Sequence, residues 1–305
     1  MAKHKFEPEI YHTTLGPHPP VMEVDAGDTV STTTVDAGGW DRNGDHCGTK
    51  GNPQTGPIFV RGAEPGDTLV VRIDHLWPNR STGFTSGAIA PNVTEFGYRP
   101  EFDDEIDRAY WQIDRDAGTA RLESPKGLLT GLVLSLAPMI GCFGVAPERG
   151  QSISTATSGP YGGNMDYRGF VQGVTVYFPV FTEGALFHLG DGHATQGDGE
   201  IVGSGIETSM DVTITLDVIK GKTIAWPRAE DDAFIMAVGN ARPLDQALQH
   251  ATTELLAWIR DDHGLTEREA HLLLGQCIRY DVGNVFDPAF TMVAKIEKSL
   301  LAALA

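Results

Sequence analysis

Glycine and proline punctuate this chain from end to end. There are 36 glycines and 18 prolines among 305 residues. Proline lacks an amide donor and glycine weakens regular structure, so elements between them must be short. That spacing predicts many short strands joined by turns. Two segments echo each other, AGDTVSTTTVD at 26–36 and PGDTLVVRIDH at 65–75. In each, a Gly-Asp turn launches a β-branched run, which predicts two equivalent strands and is too short for a solenoid. Strands are also predicted over 56–61, 68–74, 119–123, 131–137, 170–180 and 211–219. In the last, Val212, Ile214, Leu216 and Val218 alternate with polar residues, so one face is buried. Residues 141–169 and 188–206 are rich in Gly, Asn, Asp and Ser and read as long, ordered loops.

The pattern changes after about residue 240. Leu244, Leu248, Ala251, Leu255 and Ile259 share one helical face, and Gly264 supplies a stop. Thr266 and Glu269 form a capping box that opens a second helix through about Arg279. Asp287 and Pro288 predict a third, with Val293, Ile296, Leu300 and Leu304 buried. The expected fold is mainly β, with β-sandwich-like sheets in a mixed α+β arrangement. A body at 1–240 carries a helical C-terminal unit at 241–305, packed on it as one integrated domain.

The formal charge of −18 disfavours nucleic acid and anionic membrane surfaces as partners. Cys47, Cys142 and Cys277 are too few and too scattered for a disulfide framework, which predicts a reducing compartment. Cys142 has apolar neighbours, so its thiol is expected to be inert. The start, MAKHKFEPEI, has no apolar signal stretch. The longest apolar run, near 127–140, is broken by Gly131, Ser135 and Pro138 and falls short of the ~20 residues of a membrane helix. A soluble, cytoplasmic protein is expected. No Walker pattern, strand-linked G-x-G-x-x-G or nucleophile elbow occurs.

The densest polar cluster is HLGDGHATQGDGE at 188–200, with His188, Asp191, His193, Asp198 and Glu200, followed by Glu207. Asp191 and His193 stand two apart, so on a strand they face the same side and can share a transition metal. The alternative is a turn region of solvated acids. Asn164 and Asp166, beside Gly162 and Gly163, are also two apart. Their oxygens suit a hard cation, or else an Asx turn. Asp36 ends the first repeat strand and is either a ligand or a strand-terminating acid at a turn.

Taken in order, these strings resemble the acetamidase/formamidase family. The resemblance rests on VDAGG (35–39), EPGDTLVVRI (64–73), PMIGCFGVAPERG (138–150), GPYGGNMDYR (159–168) and LGDGHATQGDGEIVGSGIE (189–207). It implies a β-rich fold, homodimers or larger homo-oligomers, and hydrolysis of a short aliphatic amide to ammonia and a carboxylic acid. It also implies a bound divalent metal such as zinc, with calcium as a second candidate. The family's polar motifs fall on Asp36, Asn164, Asp166, Asp191, His193, Glu200 and Glu207. Asp191 and His193 are assigned as core metal ligands, with Asp36, Asp166 and Glu207 completing the shells. Glu200 is assigned as general base and Asn164 as a group that orients the amide or binds metal.

The chain departs from the family at Tyr161, where His is common, at Gly192, where Leu is common, and at Thr195–Gln196, where Ala-Met is common. Residues 76–121 are the least family-like, with extra acids in EFDDEIDR (101–108). If that stretch lines the pocket, substrate choice differs from acetamide or formamide. Two other readings fit the residues: a metallohydrolase of a lactam, cyclic imide or larger amide, and a catalytically silent β-sandwich with a saturated metal shell.

Overall fold

A computed structural model describes residues 1–101 and 108–304. The expected mainly β architecture is what the chain adopts. Among the described residues, a nine-stranded sheet runs in the order Lys3–Lys5, Asp28–Thr33, Met210–Ile219, Thr68–Pro78, Thr175–Pro179, Arg228–Glu230, Phe234–Ala241, Phe290–Glu297, Arg279–Asn284. The two echoing segments furnish Asp28–Thr33 and Thr68–Pro78, which pair antiparallel with opposite edges of Met210–Ile219. A second sheet contains Gly162–Asn164, Met139–Gly144, Phe187–His193 and Gln54–Arg61 as neighbours. Val71, Ile73, Val212 and Ile214 of the first sheet join Ile58, Ile140, Phe143 and Leu189 of the second in one buried core. Burial of these apolar side chains is the main stabilising term.

A smaller sheet orders Leu134–Ser135, Thr119–Leu122, Ala109–Asp114 and Thr82–Thr85. Trp111, Ile113 and Ala120 pack from one of its faces against Ala194 and Ile206. The acids at 102–107 lie outside the described residues.

Helix α1 (Leu244–His263) ends at Gly264, whose left-handed φ of 68° closes the last turn on the Arg260 carbonyl. Helix α2 (Glu267–Cys277) opens on the reciprocal Thr266–Glu269 capping box. Ala251, Leu255, Trp258 and Ile259 of α1 pack on Ile235, Ala237, Ala294 and Ile296 of the large sheet. Buried Glu254 accepts from Arg228 Nε at 2.6 Å, pinning α1 to that sheet. No helix among the described residues is long and apolar enough to cross a membrane.

Three expectations fail. The helix predicted from Asp287 is instead the strand Phe290–Glu297, and only Lys298–Ala302 is helical. That strand is covered by the core on one face and by α1 on the other. Met292, Val293 and Ala294 are consecutively buried, which erases the two-residue alternation that identifies a strand. The loop predicted at 188–206 begins as the strand Phe187–His193, buried along its whole length for the same reason. Likewise 141–169 contains strand residues to Gly144 and at Gly162–Asn164.

Candidate metal centre

Phe187–His193 lies between Met139–Gly144 and Gln54–Arg61 in the second sheet. It delivers Asp191 and His193 to one buried cluster, but not by a regular zigzag. Asp191 has a left-handed φ of 61°, and the ladder passes from Ile140–Gly192 to Cys142–Gly190 without pairing Gly141 with Asp191. Asp166 (φ 43°) and Glu200 (φ 48°) are held in the same uncommon region. Non-glycine residues stay there only when their surroundings impose it, and such strain gathers at functional sites. Gly141 makes room for two of these acids. A methyl at its Cβ position would stand 2.3 Å from Asp166 Oδ1 and 2.8 Å from Asp191 Oδ2.

Glu207 reaches the cluster by a β-bridge to His193. Glu200 is placed by the parallel bridge of Gly199 with Asn284. The loop after Asn284 adds Asp287, whose amide donates to Asn284 Oδ1 at 3.0 Å. Ligand atoms of Asp166, Asp191 and His193 lie within 4.8 Å of one another. So do those of His193, Glu200 and Glu207, and those of Asp166, Glu200 and Asp287. These six residues are nine-tenths buried or more.

The imidazole is oriented by Gln196. Its side-chain oxygen lies 2.7 Å from His193 Nδ1, while its Nε2 donates to the Asp166 carbonyl at 2.6 Å. Because the amide N–H faces that carbonyl, the amide oxygen faces Nδ1, and Nδ1 must carry a proton. In the neutral ring the lone pair then sits on Nε2, which points at the acids. Nε2 lies 2.9 Å from Glu207 Oε1 and 3.5 Å from Asp191 Oδ1. The 2.9 Å approach is not a directed hydrogen bond. His193 Nε2, Asp166 Oδ1 and Glu207 Oε2 are buried without a hydrogen-bond partner. Such groups are costly unless something satisfies them.

Amide side chains hold the remaining oxygens. Asn52 Nδ2 donates to Asn164 Oδ1 at 2.7 Å and Asp191 Oδ2 at 3.0 Å. Asn164 donates to Asp287 at 2.6 Å. Asn284 donates to Asp166, Glu200 and Asp287 at 2.7–2.9 Å. Burial, reinforced by neighbouring carboxylates, pushes the Asp166 and Glu200 carboxyls well up. Burial pushes Glu207 up to about 8 and Asp287 up to about 6. Asp191 moves down, because its contacts with His193, Asn52 and Glu207 outweigh its burial. His193 is pushed well up: burial opposes the charge, but Glu207 and Asp191 together prevail. The cage therefore retains protons, or takes a cation in their place. Unpartnered nitrogen and oxygen lone pairs converging in a water-poor pocket fit a divalent metal.

Of the residues singled out in the sequence, Asp166, Asp191, His193, Glu200 and Glu207 come together, with Asn164 beside them. Asp36 is buried but engaged elsewhere. It accepts from Gly38 and Trp40 amides and pairs with Arg80 at 2.5 Å. His188 turns away, its Nδ1 3.0 Å from the Leu186 carbonyl and its ring near His18. Asp198 is exposed beside Arg168. Cys142 is fully buried and burial raises its thiol, as expected of an inert cysteine. Sequence reasoning missed Asp287, Asn284, Asn52 and Gln196. Asp287 stood in plain view as a helix-cap candidate, whereas the amides carry no local signal.

Comparison with known proteins places the chain in a family. The profile of the Acetamidase/Formamidase family matches residues 11–158 and 149–287. An acetamidase of Mycolicibacterium smegmatis is 28% identical over 217 residues, 55% of this chain and 53% of that protein. The chain thus spans about half the length of that relative. The crystal structure of a predicted acetamidase/formamidase from Thermoanaerobacter tengcongensis superposes with a TM-score of 0.85 at 28% identity, covering 99% of this chain and 97% of that one. An acetamidase structure from Yersinia enterocolitica gives 0.84 at 32% identity, covering 98% and 93%. On the profile match across most of its length, the chain belongs to the acetamidase/formamidase family.

Proposed function

We propose that this protein is a metal-dependent hydrolase that splits the C–N bond of a short linear amide. The observation that carries the reading is the unpartnered Nε2 of His193, its ring held by Gln196 and its free nitrogen facing the carboxylates of Glu207 and Asp191. Family membership and the acetamidase relatives supply the bond class. Glu207 and Asp191, whose oxygens lie 2.9 and 3.5 Å from His193 Nε2, would form with it the nitrogen-containing part of the cage, suited to zinc. Asp166 and Asp287 form, beside Glu200, an all-oxygen part suited to calcium. A bound divalent metal supplies Lewis acidity, polarising the amide carbonyl and making water easier to deprotonate.

The chain's residues do the rest. Glu200 takes a proton from water as its oxygen bonds to the amide carbon, and passes it to the departing nitrogen as the C–N bond breaks. Amide plus water thus gives carboxylic acid plus ammonia. Burial, the leading cause of the raised Glu200 carboxyl, favours its protonated form once it has taken that proton. Asn164 and Asn52 fix the carboxylates around the reacting group. Asp36 pairs with Arg80 outside the ligand set, and its charge adds a small push to the burial that raises Glu207. The protein works as a homo-oligomer, a role for which exposed Phe96 and Leu128 provide apolar surface. A cytoplasmic setting accords with its three free cysteines.

Metal analysis of the purified protein and ammonia release from formamide, acetamide and propionamide test this function. Metal and ammonia are both expected, and their joint absence refutes the reading. His193→Ala loses metal and activity. Glu200→Gln keeps metal at the nitrogen-containing part and loses rate; loss of all metal there instead makes Glu200 a ligand rather than the base.

A further inference from the structure

The cluster connects to the surface along a single row of side chains. His193 is bridged to Glu207, Glu207 to Phe84, and Phe84 to Tyr110, each pair antiparallel. Directly opposed residues of antiparallel strands project from the same face. These four side chains therefore line one face in order, from buried His193 to Tyr110 at 56% exposure. Their sequence neighbours Ala194, Ile206 and Trp111 pack together with Ile113 on the opposite face, as strand alternation requires.

The outer end of the row borders a cavity of about 330 Å³. That volume lies in the ~300–1,000 Å³ range of small-molecule sites and far exceeds the needs of an acetyl group. Its lining includes Phe84, Tyr110, Trp40 and Arg108, with the Arg108 guanidinium 4.1 Å above the Phe84 ring. Arg80 also borders it, but its donors go to Asp36 and to the carbonyls of Trp40, Asp41 and Thr82. What the cavity offers is π surface with a stacked guanidinium. Flat rings gain from both through offset stacking and cation–π attraction. Six of its residues, Arg80, Thr82, Gly83, Phe84, Arg108 and Tyr110, come from the 76–121 stretch that departs most from the family.

We propose that the amide hydrolysed here carries a planar aromatic acyl group, seated against Phe84 and Tyr110 with its carboxamide directed along the row to Glu207 and His193. The proposal rests on the amide-hydrolase reading and sharpens it to aryl carboxamides. The reaction is unchanged: water bonds to the carbonyl carbon, the C–N bond breaks, and ammonia leaves with one proton from water.

The test is the rate of ammonia release by the metal-loaded protein from benzamide, acetamide, propionamide and succinamate. Benzamide should exceed acetamide in kcat/KM by about tenfold or more, the scale on which pocket contacts discriminate. Phe84→Ala and Tyr110→Ala should each lower the benzamide-to-acetamide ratio severalfold, chiefly through KM, and Tyr110→Phe should restore it. Tyr110 is a surface residue, so its variants keep the test open if Phe84→Ala fails to fold. Acetamide or propionamide turnover without benzamide turnover overturns the aromatic assignment and leaves the hydrolase reading standing. Preference for succinamate overturns it in favour of an anionic acyl group. No ammonia from any amide overturns the reading beneath both.

Discussion

Gln196 holds its side-chain oxygen 2.7 Å from His193 Nδ1, and this one contact decides which imidazole nitrogen faces the acids. The second bond of the same amide, to the Asp166 carbonyl, ties two members of the cage together. Gln196→Met removes the acceptor while keeping the length of the side chain. It should weaken zinc binding by about 10–100-fold, the usual effect of losing a ligand's orienting partner. Chelator competition on folded protein measures this, and unchanged affinity would show that Gln196 does not set the tautomer.

Gly141→Ala places a methyl 2.3 Å from Asp166 Oδ1. The oxygen belongs to a short side chain on a constrained backbone, so it has little room to yield. Overpacking should destabilise the protein by about 1–3 kcal/mol and reduce bound metal. Denaturant unfolding and metal content are the readouts; a variant with ordinary stability and full metal would mean that the cage is pliant.

The metal-free protein should lose stability as pH rises. Burial pushes Glu207 up to about 8 and Asp287 up to about 6. Each acid binds its proton more tightly folded than unfolded, so its contribution is complete below its ordinary pKa. That contribution is lost as pH climbs through the folded value. His193, also raised, acts in the same direction, and Asp191, lowered, opposes it. The window runs from about pH 4 to 8 on these values. Tm of chelated protein should fall across it, and adding zinc and calcium should flatten the slope. A Tm that rises with pH in chelator contradicts this balance.

Asp36 and Arg80 form a nearly dry pair, with side-chain exposures of 0% and 10%. Arg80→Met leaves a buried carboxylate without its partner and should cost about 3–5 kcal/mol. Asp36→Asn should leave metal content intact, because Asp36 lies outside the converging groups. Metal loss in Asp36→Asn would return that residue to the ligand set.

What could be read from the sequence follows from the range of each interaction. Asp191 and His193 were legible because spacing, glycine content and residue type all lie within one short string. The α1 stop at Gly264 and the Thr266–Glu269 box are equally local. Asn284 and Asn52 were not legible: their bonds to Asp166 and Asp191 join residues 118 and 139 apart. Asp287 was visible but misread, since Val293 and Ile296 mimic helical spacing in a strand buried on both faces. Asp36 was legible as an acid that ends a repeat strand, but nothing in its string announces Arg80.

The ladder from His193 through Glu207 and Phe84 to Tyr110 draws its rungs from separate segments of chain. Its inner rungs belong to the cage and its outer rungs only border the cavity. On the proposed function, reactivity and selectivity thus have separate addresses, because Phe84 and Tyr110 lie outside the converging ligand groups. That makes the outer rungs the natural positions at which to re-engineer this scaffold for amides of another shape.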